Sequence, residues 1–142
     1  MFYEIFFYFF LGGIATANAQ HISADKAPIP VKSAFTKNFP GATGAKWERE
    51  KDGYEVNFIQ NSLKMAAVFT PDGSLKETET TIKPTQLPAA ATAYITQNYA
   101  GAGIKEAAKL TLAGGETQYE AEVKSKDLIF DANGKFLKAV KP

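Results

Sequence analysis

Three pairs of carboxylates stand two residues apart in the chain: Glu48 and Glu50, Glu77 and Glu79, Glu120 and Glu122. Two positions along a β-strand bring a side chain back to the same face, so each pair would present two acids side by side. Two carboxyl groups flanking a cleft are the acid and base of glycoside hydrolysis. Here Lys46, Arg49, Lys76 and Lys124 are interleaved with them, and a solvated face of alternating charge is the simpler reading. An enzyme working through the pairs is the lesser one. Nucleophilic catalysis needs a Ser, Thr or Cys beside a base, whereas the chain has no Cys and one His, His21, in a polar stretch that reads as a solvated tail. Zinc and copper lack their preferred thiolate and imidazole ligands for the same reason. "PDG" (71–73) and "DANG" (131–134) each supply an Asp and a Gly without the rest of a calcium loop's ligand series, and read as hairpin turns. The residues therefore predict no catalytic group, no metal and no cofactor.

The elements that would position these acids begin after residue 19. "MFYEIFFYFFLGGIATANAQ" has an apolar run from Ile5 to Ile14 and small residues up to Ala19, the pattern of a secretory signal peptide cleaved after Ala19. Its flank departs from the usual form, with Glu4 and no Lys or Arg. The run is shorter than the ~20 apolar residues that span a bilayer, so no stable membrane insertion is expected after cleavage. Residues 20–142 make one domain, long enough to bury a core. Once Glu4 is removed, 16 basic residues face 14 acidic ones, a net charge of +2 that gives no electrostatic footprint for nucleic acid. The absence of Cys rules out disulfides and a lipid-bearing cysteine. A periplasmic or secreted location follows.

Residues 20–27, "QHISADKA", read as a flexible leader. In "PIPVKSAFTKNFPG", Val31, Ala34, Phe35 and Phe39 recur at helical spacing, Pro30 suits the first turn and Pro40-Gly41 the stop. "GAKWERE", "GYEVNFI" and "KMAAVFT" then alternate with period two, as strands with one buried face do. Asp52-Gly53 and Asn133-Gly134 mark hairpins. "SLKETETTI" is polar enough to predict an edge strand, its Lys and Glu discouraging pairing with another molecule. The order then recurs. "QLPAAATAYITQNYAG" reads as a second helix, and "GIKEAAKLTL", "ETQYEAEV", "KDLIFDA" and "GKFLKAV" as strands. Pro30 aligns with Pro88, Phe39 with Tyr99, Tyr54 with Tyr119, and "FTPDGSL" with "FDANGKF". The expected fold is α+β, a tandem duplication of a helix followed by about four antiparallel strands, with repeat one over 28–82 and repeat two over 85–140. Both helices would pack on one face of the sheet. Trp47, Tyr54, Phe58, Phe69, Tyr119, Phe130 and Phe136 would point inward, with Phe35, Phe39, Tyr94 and Tyr99 above them.

"VKSAFTKNFPGATGAKWE", "YEVNF", "FTPDGSLKETE", "LPAAATAYITQNY" and "YEAEV…IFDANGKFLK" together resemble the PepSY-like, beta-lactamase-inhibitor-like family of exported bacterial proteins, common in Bacteroidetes. The resemblance spans about Pro28 to Lys138. It implies helices against antiparallel sheet in tandem repeat, similar to beta-lactamase inhibitor protein. It places no residue of that inhibitor's binding surface on this chain.

The outward face then becomes the candidate site. Glu55, Asn57, Glu120, Glu122 and Lys124 are expected to project from it into solvent, where mixed charge can select a protein partner and speed its association. The functional expectation is an exported, non-enzymatic binding module for a partner in the cell envelope, such as a periplasmic or secreted hydrolase held in check. The alternative is a carrier of a small molecule or envelope ligand, with a cavity between helices and sheet left by the Ala-rich "PAAATA".

Overall fold

Period-two alternation becomes strand, and helical spacing becomes helix, through the whole of residues 20–141, which the computed structural model describes. The signal-peptide reading of 1–19 lies outside them. The chain runs through β1 (Gln20–Ile22), a 3₁₀ turn (Ala24–Lys26), α1 (Ile29–Asn38), β2 (Thr43–Glu50), β3 (Gly53–Gln60), β4 (Leu63–Phe69) and β5 (Leu75–Ile82). A second 3₁₀ turn (Pro84–Gln86), α2 (Ala89–Asn98), β6 (Glu106–Leu112), β7 (Thr117–Val123), β8 (Lys126–Asp131) and β9 (Phe136–Val140) follow. All nine strands form one antiparallel sheet, ordered as in the sequence. It is continuous across the middle, where β5 pairs with β6 from Glu77 opposite Leu112 to Ile82 opposite Ala107.

The two helices are built alike. Pro28 and Pro88 precede them, and each proline's carbonyl accepts from the amide three residues on, Val31 or Ala91, at 3.0 Å. At the far ends, Asn38 Nδ2 donates to the Ala34 carbonyl at 2.8 Å and Asn98 Nδ2 to that of Tyr94 at 2.9 Å. These bonds satisfy carbonyls that a helix end leaves open. Both helices lie on the same face of the sheet over separate cores. Under α1, Val31, Trp47, Val56, Phe58, Ala67 and Phe69 are buried, with Phe35 and Tyr54 packed against them. Under α2, Ala91, Ile95, Ala107, Ala121, Val123, Leu128 and Phe130 are buried, with Tyr94, Tyr119 and Phe136 alongside. Tyr54 and Tyr119 thus hold matching places, as the alternation predicts. Phe35 meets the edges of Trp47 and Phe58 with ring centres 5.3 and 5.1 Å apart. Each buried Phe contributes roughly 1.5–3 kcal/mol, the main support of a fold without disulfides.

Two glycines tie strand turns to helix starts. Gly73 (φ +93°) and Gly134 (φ +86°) adopt left-handed backbone, and a Cβ at either would come within 2.6 Å of the Pro30 carbonyl oxygen or 2.8 Å of the Ala91 amide nitrogen. The alanines at the start of α2 therefore receive the β8–β9 turn. Farther along the helix, Tyr94 stacks on Phe136 with centres 4.3 Å apart.

Two expectations are corrected. The leader is structured: Gln20–Ile22 pairs with β2, Ile22 opposite Trp47, and Ala27 is buried in the first core. Three residues are too few to show periodicity, yet an open strand edge beside β2 supplies their hydrogen bonds. The Glu/Thr-rich β5 is the middle strand of the nine rather than an edge. Its glutamates are accommodated by what happens on the face away from the helices.

Candidate functional site: the carboxylate face of the sheet

Residues directly opposite in antiparallel strands share a face, so the register maps the side away from the helices row by row. One row runs Glu48, Glu55, Val68, Glu77, Leu112 from β2 to β6. The next runs Ala66, Glu79, Leu110, Gln118, Asp131 from β4 to β8. A third holds Ala108, Glu120, Ile129 and Lys138, and a fourth Glu106, Glu122, Asp127 and Val140. The three glutamate pairs of the sequence are thus gathered on one surface.

That surface is sheltered. Glu55 is 2 % exposed, Glu77 3 %, Glu79 5 % and Glu120 3 %; Glu48 and Asp127 are also buried, together with Ala66, Ala108, Leu110 and Ile129. Curvature is the physical reason. Strands sit about 4.8 Å apart, so β5 and β9 would be about 19 Å apart on a flat sheet, yet Lys138 on β9 acts electrostatically on Glu77 on β5. Glu79 on β5 likewise feels Glu55 on β3 and Glu120 on β7. A sheet curled with its helices outside and its acids in the hollow accounts for this burial, as accumulated strand twist permits.

Burial and like charge act together on these groups. Desolvation first, then Glu120, Glu55 and Glu50, push the Glu77 carboxyl up to about 10. Desolvation and then Glu120 hold Glu79 well above the usual carboxylate range. Glu120 is raised by desolvation and then by Asp127, Glu106 and Glu122. For Glu55, desolvation is again the main cause, followed by a hydrogen bond and repulsion with Glu50, while Asn57 Nδ2 donates to Glu55 Oε1 at 3.0 Å and opposes them. Asp127 reaches about 6, by desolvation and then Glu122 and Glu106. With its carboxyl held that high, Glu77 is neutral at pH 7. Several of these acids are also orphaned: both oxygens of Glu77 and one each of Glu106, Glu120 and Glu122 are buried with no hydrogen-bond partner.

The structure places most of the sequence-derived residues on this face, but not all of them as expected. Glu55, Asn57, Glu120 and Glu122 do lie on the face away from the helices, but Glu55 and Glu120 are buried instead of solvated, and Asn57 and Glu122 are partly buried. Lys124 leaves the set. β7 ends at Val123, and Lys124 and Ser125 form the two-residue turn to β8 with φ of 49° and 61°, the positive values a tight hairpin requires. Lys105 on the approach to β6 supplies the cation instead, its Nζ 3.6 Å from Glu122 Oε1. The sequence reading missed Glu77 and Glu79 as site residues by assigning β5 to an edge. It also missed a grouping of oxygen donors: carboxylate oxygens of Glu48, Glu50 and Glu55 lie within 4.8 Å of one another, the donor type of hard cations. His21 is not a loose tail residue, since its Nδ1 lies 3.4 Å from Glu48 Oε1.

No helix among the described residues is long and apolar enough to cross a membrane. No curated protein matches the chain. Solved structures do. A "putative periplasmic" protein from Bacteroides eggerthii matches with TM-score 0.73 at 21% identity, over 80% of this chain and 87% of its own. A DUF2874-family protein from Bacteroides uniformis matches with TM-score 0.71 at 19% identity, over 80% and 88%. A BLIP-like protein from Bacteroides fragilis matches with TM-score 0.64 at 23% identity, over 78% and 82%. At such identities the likeness is one of fold. The family described as "Putative beta-lactamase-inhibitor-like, PepSY-like" matches twice, over residues 15–76 and 54–138, and to this family the chain belongs.

Proposed function

We propose that the chain is an exported, non-enzymatic binding module that docks a protein partner on the carboxylate face, and that it is a tandem duplication with one helix and four strands per copy. The single observation that carries the docking reading is Glu77. Its two buried oxygens lack hydrogen bonds in the middle strand of the sheet, on the face away from the helices. An unmet buried polar group costs about 1–3 kcal/mol, and native folds keep few of them. A partner that meets these groups gives them a use. The likeness to BLIP-like and periplasmic proteins supports the same reading, including restraint of a periplasmic or secreted hydrolase. The shared helix caps, cores and glycine turns support the duplication.

The test is affinity capture from an envelope fraction of the native host, with wild type beside a Glu55→Lys/Glu120→Lys/Glu122→Lys variant whose circular dichroism matches. A stoichiometric protein that the variant releases is the expected result. Capture of nothing, or equal capture by both, overturns the reading.

A further inference from the structure

The chain's single Asn-Gly step, Asn133–Gly134, carries a reaction that docking on the carboxylate face does not use. In a relaxed chain the Gly134 backbone nitrogen can attack Cγ of the Asn133 side chain, since glycine puts no side chain in the way. The N–Cγ bond forms, the Cγ–Nδ2 bond breaks, and the proton of the Gly134 amide leaves with Nδ2 as ammonia. Water then opens the cyclic imide. Addition at Cγ gives aspartate; addition at the Asn133 main-chain carbonyl gives isoaspartate, whose backbone is longer by one methylene.

The fold opposes the first step atom by atom. Gly134 N donates to the Asp131 carbonyl at 3.0 Å, so the proton that must leave is held. That bond closes a turn from Asp131 to Gly134, in which only Gly134 has positive φ. Asn133 is therefore the third residue of a type I turn, with ψ of about 0°. At that ψ the Gly134 nitrogen eclipses the asparagine's own nitrogen rather than Cβ, and the five-membered ring is held open. Asp131 Oδ1 braces the turn, accepting from the amides of Asn133 and Lys135 at 2.9 Å each. Gly134 is buried against the start of α2, where an added Cβ would meet Ala91 N and Pro88 Cβ at 2.8 Å, so the turn cannot rotate without leaving the helix. The β4–β5 turn has Asp72 before Gly73, and hydrogen bonds from Thr70 and then Ser74 hold that carboxyl below the usual range. An ionised carboxylate is a poor electrophile, so the reaction is particular to the second turn.

We propose that Asn133–Gly134 is a deamidation site latched by the fold: it reacts in chains whose β8–β9 turn has come away from α2, and the isoaspartate product then keeps the turn from reseating. The extra methylene falls between Asp131 and Lys135, whose amide and carbonyl close the hairpin at 2.9 Å, and just before Phe136, which stacks on Tyr94. A turn lengthened there cannot both close the ladder and seat Gly134 on α2. A chain that has once opened is thereby marked.

The test ages the full chain in mildly alkaline buffer, native and in guanidinium chloride, and follows isoaspartate at position 133 by peptide mapping. Formation should be roughly tenfold slower or more in the native sample, as for a reaction that must await local opening. Asp131→Ala frees the amides of Asn133 and Lys135 but keeps the carbonyl that closes the turn. It should raise the native rate and leave the denatured rate unchanged. Equal rates in the two wild-type samples, or a faster native one, overturn the latch. So does an Asp131→Ala chain of matching circular dichroism that ages no faster than wild type. After removal of denaturant, chains carrying isoaspartate should melt lower than unaged ones, while Asn133→Asp, the other product, refolds fully. An isoaspartate chain with an unchanged melting temperature overturns the block to reseating.

Discussion

The two faces of the sheet solve opposite problems. On the helix side, Phe69 and Val56 are fully buried in the core under α1 and Phe130 and Leu128 in the core under α2, and the rings around Phe130 meet edge-on or stacked. On the other side, groups equally hidden from water are carboxyls, several without a partner. The first face is what holds the domain together. The second works against it, since each buried acid must stay protonated or be ionised at a cost. The contrast separates two properties that period-two alternation is often taken to fix at once. Alternation decides which way a side chain points, and sheet curvature decides whether that direction leads to water.

Three substitutions probe the contrast, beginning with the largest effect. Phe130→Ala removes a ring that touches Tyr94 and Phe136 and should lower unfolding free energy by about 3–5 kcal/mol, read from urea melts. A loss under about 1 kcal/mol would show that the helix face does not carry the fold. Gly134→Ala places a Cβ 2.8 Å from the Ala91 amide nitrogen at positive φ and should cost about 1–3 kcal/mol, while Gly103→Ala, where an added Cβ meets nothing, should change little.

The third substitution acts on the carboxylate face and reverses sign. The Glu77 carboxyl is held up to about 10 in the fold, against roughly 4.3 when unfolded. Its contribution to stability is thus fully present below about 4.3 and is lost as pH rises through 10. The native domain should therefore melt higher at pH 5 than at pH 9, and Asp127, raised to about 6, adds to the slope at its acid end. Glu77→Gln should stabilise at pH 9 by on the order of 2 kcal/mol and change little at pH 4, where glutamine stands in for the neutral acid. Thermal melts at the two pH values check this. A variant that is destabilised equally at both would mean that Glu77 is ionised and well served in the native state.

Local pattern carried most of the fold. Helical spacing placed Val31, Ala34 and Phe35 and their counterparts Ala91, Tyr94 and Ile95, and alternation turned Trp47, Tyr54, Phe58 and Tyr119 inward, because each of those choices depends on neighbours a few residues away. The site was legible only in direction. Glu55 and Glu120 face away from the helices as read, but their burial comes from strands far apart in sequence curling toward one another, which no short window contains. β5 was misplaced for a related reason: alternating Glu and Thr looks like a wet edge unless the acids across the hollow are known. β1 was missed because three residues carry no period, and Lys124 because Lys-Ser is not among the dipeptides that announce a tight turn.

The strictly sequential strand order also governs how this chain can reach its fold. Most ladders join neighbours through short turns. β1 meets β2 across the stretch from 23 to 42, including α1, and β5 meets β6 across the longer stretch from 83 to 105, including α2, which must be gathered before Ile82 can meet Ala107. Loop closure of that length is the entropically dearest step in the assembly. Each side of the seam has its own apolar nucleus, so two local zippers can run independently and then join once. A chain emerging gradually during synthesis completes the first zipper before the second is in reach.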